Sequence, residues 1–188
     1  MQIQPELQGK RIMLRRVREK DIDDRTKLGR HHEFVHMCGG ESLPAPEYPD
    51  RAFWERWYDG EKRREAGGEY SWIIDLQGRC IGSCGLHHLS AEDKSGTYRI
   101  GIFDPAFHAK GIGTEATELV VRFGFETLHL HRIDLKVLDY NDRAIRCYEK
   151  CGFQKDGVLR ESALIEGKYY SDVIMSILED EYWNLYRK

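Results

Sequence analysis

The segment Asp104-Pro-Ala-Phe-His-Ala-Lys-Gly-Ile-Gly-Thr114 lies between an apolar strand pattern ending near Phe103 and an apolar helix pattern beginning near Gly113. That context suits an anion. The first backbone N–H groups of a helix have no partner inside it and sit at the positive end of its dipole, so a phosphate satisfies both. Glycines at 111 and 113 remove the Cβ atoms that would hold phosphate oxygens away, and Lys110 adds a mobile positive charge. A plain strand-to-helix connection uses glycine too, so spacing alone leaves both readings open. Two nucleotide motifs are excluded. A P-loop requires Gly-x-x-x-x-Gly-Lys-Ser/Thr, which is absent, and a dinucleotide fingerprint follows the first strand of its fold, whereas several strands and two helices come first here.

The other reactive residue types form no comparable pattern. Five cysteines is an odd number, and Cys80/Cys84 and Cys147/Cys151 have three intervening residues where zinc or redox motifs usually have two. His31, His32, His36, His87 and His88 read as exposed or internally satisfied, so no metal is expected. A net charge of −3 gives no general nucleic-acid-binding surface. No apolar run reaches the roughly 20 residues of a membrane span, and Met1-Gln-Ile-Gln-Pro5 lacks a secretory pattern, so a cytoplasmic protein with no membrane contact is expected.

The elements that must position the glycine turn fit one domain over residues 1–188, a length that buries a full core. Arg11 to Val17 alternates as a first strand, Asp21 is placed to cap a helix running to about His32, and Leu43-Pro-Ala-Pro-Glu-Tyr-Pro49 breaks regular structure. Asp50 can cap a second helix bearing Phe53, Trp54, Trp57 and Tyr58 at core-like spacing. Tyr70 to Asp75 and Arg79 to His88 form a hairpin through Gln77-Gly78, and Gly96 to Phe103 adds a strand. Alternation follows: helix Gly113 to Leu128, strand Ile133 to Val137, helix Asp142 to Cys151. Strands Val158 to Ile165 and Tyr169 to Leu178, turned at Glu166-Gly167, close the chain.

Ile100 to Phe153 resembles the cofactor-binding half of the GNAT superfamily of acyl-CoA N-acetyltransferases, and most closely its RimJ/RimL-like branch. His108-Ala-Lys-Gly-Ile-Gly113 resembles the family's Gln/Arg-x-x-Gly-x-Gly/Ala pyrophosphate loop, continued by Thr114-Glu-Ala116. Leu130-His-Arg-Ile133 resembles the branch's strand entry, and Asn141 to Phe153, with Tyr148 inside it, its second cofactor motif. The likeness extends through Arg11 to Asp21 and Gly157 to Leu178. His108 stands where Gln or Arg is usual, Ala109 replaces a common glycine, and Arg99 stands where many relatives carry Glu.

The resemblance implies an α/β fold with a mixed, mostly antiparallel twisted sheet of about seven strands, flanking helices and a splayed central strand pair. It implies acetyl-CoA as co-substrate and direct acetyl transfer to a primary amine of a small molecule or a protein, with a homodimer left open. His108, Ala109, Lys110, Gly111, Ile112, Gly113 and Thr114 would hold the pyrophosphate. Backbone N–H groups at Ile102 and Phe103 would polarise the acetyl carbonyl, and the Tyr148 hydroxyl would protonate the departing thiolate. Without the motif, Tyr148 could simply pack beside Ala144. Asn141 either caps its helix or holds the pantetheine chain or a water. Glu33, Glu69, His87, His88 and ordered water are candidates for the amine proton. For the acceptor, Glu33, Glu41 and Glu47 would attract a cation, with Trp54, Trp57 or Tyr58 packing its skeleton. A catalytically silent acyl-CoA sensor or scaffold is the alternative function.

Overall fold

The computed structural model describes residues 4–39 and 49–186. In chain order these form β1 (Leu7–Gln8), β2 (Met13–Arg15), α1 (Lys20–Leu28), α2 (His32–Met37), α3 (Arg51–Ala66), β3 (Tyr70–Leu76), β4 (Arg79–Ser90), β5 (Ser95–Ile102), α4 (Ile112–Glu126), β6 (Arg132–Leu138), α5 (Asp142–Lys150), β7 (Gln154–Ile165), β8 (Lys168–Leu178) and α6 (Glu179–Tyr186). One turn of 3₁₀ helix, Pro105–Phe107, precedes the glycine loop. Among the described residues no helix is long and apolar enough to cross a membrane.

The eight strands make one sheet in the order β1-β2-β3-β4-β5-β6-β8-β7. Every pairing is antiparallel except β5 with β6, the mixed α/β arrangement expected, with β1 added. Two hairpins turn where they were expected. Gln77 and Gly78 have φ of 53° and 82°, and Glu166 and Gly167 have 51° and 79°, so each two-residue loop takes the left-handed pair that matches strand twist.

The central pair splays. β5 and β6 pair only from Ser95↔Arg132 to Thr97↔Asp134, after which β5 runs on to Ile102 without β6 beside it. α4 packs beside this opening, its Ala116, Val120 and Phe123 buried with Trp72, Leu86 and Ile133 of the sheet. Each such large apolar side chain contributes about 1.5–3 kcal/mol on burial. The Tyr98 hydroxyl on β5 lies 3.0 Å from Thr117 Oγ1, which donates to the Gly113 carbonyl at 2.7 Å, so the strand and the first turn of α4 are fixed together.

Two expectations about the N-terminal helices need correction. Asp21 lies inside α1 and is fully buried; its carboxylate accepts Arg15 Nη1 and Nη2 at 2.8 and 2.7 Å and the Arg18 N–H at 2.7 Å. Arg15 Nε also reaches Asp75 at 2.6 Å, so a buried charge cluster joins β2, α1 and β3. The two carboxylates hold the Arg15 guanidinium above the ordinary arginine range against the opposing effect of burial. α1 ends at Gly29, whose φ of 73° breaks the helix, and α2 begins separately at His32. Asp50 does cap α3, accepting the Phe53 N–H at 2.9 Å.

Candidate active site

A cleft of about 780 Å³ fills the opening between β5 and β6 and extends to the first turn of α4 and one face of α5. Its floor is backbone. Gly111 occupies the position before α4 in a left-handed conformation, φ 76°, and Ala109 also has positive φ, 57°. The alanine therefore takes a conformation that glycine adopts without cost and other residues enter at about 1 kcal/mol or more. This left-handed bend turns the free N–H groups at the start of α4 toward the cleft, and Gly113, on its wall, keeps the approach clear.

Arg11, just before β2, braces the loop from outside. Its Nη1 donates to the Lys110 carbonyl at 2.7 Å and its Nε to Glu115 at 2.8 Å, while its backbone N–H donates to Glu115 at 2.8 Å. Burial is the largest single influence on the Glu115 carboxyl and raises it, but these contacts together outweigh it and hold the group below its usual range. His108 braces it from within. Its Nε2 lies 3.0 Å from the Ile102 carbonyl, which can only accept, so Nε2 carries the proton. Its Nδ1 lies 3.4 Å from Glu33 without hydrogen-bond geometry.

That contact also orients β5. The Phe103 N–H donates to Ile81 of β4 at 2.8 Å, and strand alternation then turns the N–H and C=O of Ile102 the other way, as its bond from His108 shows. Ile102 thus offers an N–H on the open edge. Phe103 does not: its N–H is committed to β4 and its ring is buried against Ile73 and Cys80. The role expected for its amide is corrected accordingly.

Tyr148 on α5 lines the same cleft, 7% exposed, and its hydroxyl has no hydrogen-bond partner among the described residues. Burial pushes the phenol well above the ordinary tyrosine range, so it remains protonated and can donate. Asn141 caps α5: its oxygen accepts the Ala144 N–H at 3.2 Å, and its Nδ2 donates to Met37 at 3.2 Å, so both ends of the amide are engaged. Cys147 shares the wall. Its neighbours Cys151 and Thr114, the latter's hydroxyl 3.4 Å from Sγ, hold its thiol below the ordinary cysteine range. Of the loop residues, Ile112 is buried in the core, and exposed Lys110 lies outside the cleft, its ammonium 5.8 Å from the Phe107 ring.

Sequence reasoning missed the cations opposite the loop. Arg143, Arg146 and Lys150 line the cleft from α5, with Lys136 from β6. Their 143/146/150 spacing puts them on one helix face, a signal that was available.

A second cleft of about 470 Å³ adjoins the first, sharing Phe34, Cys38, Arg99, Ile100 and Gly101 with it. α2 divides them. Phe34 packs so closely on β5 that a Cβ at Gly101 would stand 2.8 Å from its ring. Trp54 lines this cleft and is 2% exposed. Glu61, one turn beyond Trp57, lines it as well and accepts from Ser71 and Arg64, the latter at 2.8 Å.

Several acceptor and base candidates lie elsewhere. Glu33 lines neither cleft; Arg143 Nη1 engages its carboxylate at 3.0 Å and holds it below the usual range. Tyr58 lines neither cleft and sits under Lys62 on the same helix, 5.5 Å from its ammonium. Glu69, His87 and His88 also line neither cleft. Glu41 and Glu47 lie outside the described residues. The five cysteines are free, and the described residues gather no group of three metal-ligating side chains.

A splayed parallel pair beside a helix whose N-terminus opens on a left-handed glycine bend is the arrangement of a GNAT-like transferase. The Acetyltransferase (GNAT) domain model matches residues 11–154, and the chain belongs to that family as an N-acetyltransferase enzyme. It is 36% identical over 124 residues to the probable N-acetyltransferase YjcK of Bacillus subtilis, covering 64% of this chain and 68% of that one. It is 29% identical over 136 residues to the spermidine N(1)-acetyltransferase of Escherichia coli K12, covering 72% and 73%. Among solved structures, Vibrio cholerae spermidine N-acetyltransferase in complex with CoA and spermine superimposes with a TM-score of 0.76 at 26% identity, covering 93% of this chain and 99% of that one.

Proposed function

We propose that the chain acts as one domain, in the RimJ/RimL-like branch of its family, and moves an acetyl group from acetyl-CoA to the primary amine of a small molecule in the cytoplasm. The observation that carries this reading is that one cleft is bordered by the glycine bend, the open edge of β5 and the unpartnered Tyr148 hydroxyl. The N–H groups at the start of α4 receive the pyrophosphate, and Arg143, Arg146 and Lys150 suit the remaining phosphate charge of CoA. The Ile102 N–H, turned to the open edge, polarises the thioester carbonyl.

The amine nitrogen then forms a bond to the carbonyl carbon, the C–S bond breaks, and its electron pair leaves on sulfur. Tyr148 gives that sulfur a proton. The nitrogen sheds its own proton to solvent, from which Tyr148 is reprotonated; the His108 imidazole and Asp172 carboxylate line the first cleft and the Glu61 carboxylate the second. Transfer is direct because the clefts meet along Ile100 and Gly101, so both substrates can be bound together. Titration with acetyl-CoA, followed by CoA release over a panel of small amines, tests the reading. Binding with amine-dependent release is expected. Binding without turnover of any amine would favour a silent acyl-CoA-binding domain.

A further inference from the structure

Among the described residues, the second cleft is rich in hydrogen-bond donors and poor in acceptors. Arg25 of α1 is 4% exposed, yet its Nε and Nη1 have no hydrogen-bond partner and it has no carboxylate partner among the described residues. The guanidinium lies 3.7 Å from the centre of the Phe103 ring and 4.2 Å from that of Trp54. Stacking accounts for its faces and leaves the edge, which is the part that pairs with oxyanions. The indole Nε1 of Trp54, also buried, has no partner either. A buried N–H without an acceptor costs roughly as much as a lost hydrogen bond, and these donors gather in one cleft.

The charges agree. Arg25, Arg56, Arg64 and Arg99 line the cleft against one carboxylate, Glu61, among the described residues. Glu61 is already occupied by Arg64 and Ser71, with Arg99 at 3.5 Å. Burial pulls the Arg25 guanidinium down only to about 10, so it remains charged at neutral pH. A polyamine meets like charge here, whereas an oxyanion completes the donor set.

We infer that this cleft binds an anionic group of the acceptor, so that the substrate is a small primary amine carrying a carboxylate or a phosphate, gripped by Arg25, Trp54 and Arg99. This deepens the acetyltransferase reading and rests on it. The amine would then reach the thioester along Ile100 and Gly101, where the clefts join.

The test uses CoA release from acetyl-CoA with matched acceptors: glycine against glycinamide, β-alanine against β-alaninamide, phosphoethanolamine against ethanolamine, and spermidine alone. At least one anionic member should exceed its neutral partner by about 10²-fold or more in kcat/KM, and spermidine should be poor. The carboxylate and phosphate pairs distinguish the two anions. Arg25→Met should reduce the preference about tenfold or more while acetyl-CoA affinity stays unchanged; if that variant does not fold, Trp54→Phe, which deletes the unpartnered indole N–H of a residue lining the second cleft alone, serves. Equal or better turnover of neutral amines or spermidine would overturn the assignment. So would acetyl-CoA binding with no anionic amine acetylated. Failure of acetyl-CoA to bind at all would instead overturn the transferase reading beneath it.

Discussion

The two clefts meet along the same stretch of β5, yet one is built chiefly from backbone and the other from side chains. The larger takes its shape from a bend at Ala109 and Gly111, the first turn of α4 and the edge that β5 presents once β6 diverges. The smaller is assembled from Arg25 on α1, Trp54 and Glu61 on α3 and Arg99 on β5. A backbone site accepts any ligand with a phosphate and suits a co-substrate shared across a family. A side-chain site can change its acceptor by changing a few residues while the strands keep the chemistry in place.

The sharpest way to break this division is at Gly113. A Cβ there would meet only Cys147 Sγ, at 3.6 Å, so Gly113→Glu should fold, while its carboxylate faces the pyrophosphate position. Acetyl-CoA affinity should fall by about 10³-fold or more by calorimetry, the order expected when charge attraction becomes repulsion at a helix terminus. Unchanged affinity would remove the site from this loop.

Tyr148→Phe should lower kcat by about 10²-fold with little change in acetyl-CoA affinity, because it deletes a proton donor and keeps the packing. The sign of its pH dependence follows from burial. With the phenol raised above its ordinary value, the donor stays protonated as pH rises, so kcat should show no Tyr148-linked loss up to about pH 10. A normal rate in the variant would assign thiolate protonation to water.

Asp21→Asn tests the support beneath the second cleft, since α1 carries both Asp21 and Arg25. Removing one charge from the buried Arg15 cluster should cost about 3 kcal/mol by denaturant unfolding. A loss below about 1 kcal/mol would mean that Asp75 alone satisfies Arg15. The smallest effect is expected at Ala109→Gly: relieving the left-handed alanine should stabilise the fold by less than about 1 kcal/mol, because glycine's greater unfolded-state freedom offsets part of the gain. Destabilisation would show that the loop needs the methyl group.

How much was legible in the sequence follows the same division. The glycine loop, the Asn141 cap and the hairpin turns could be read because each depends on residues close in sequence that satisfy a local backbone geometry. The helix expected to run unbroken to His32 was misjudged because one left-handed Gly29 divides it. The acceptor side was misjudged for a different reason. Glu33 looks like an available anion until Arg143, 110 residues away, takes it, and Arg25 looks like a solvated helix cation until Trp54 and Phe103 close over it. Partners so distant in sequence leave no periodicity to read. Glu61 alone carried a usable sign, lying on the face marked by Trp54 and Trp57.

The central claim is that adjoining clefts hold both substrates at once and the acetyl group passes between them directly. Cys147 provides the chemical alternative, since a thiol held below its ordinary range on the wall of the first cleft could form an acyl-enzyme. Initial rates over a matrix of acetyl-CoA and acceptor concentrations separate the two. Double-reciprocal lines that intersect are predicted, as a ternary complex requires; parallel lines, with one substrate leaving before the other binds, would contradict the account.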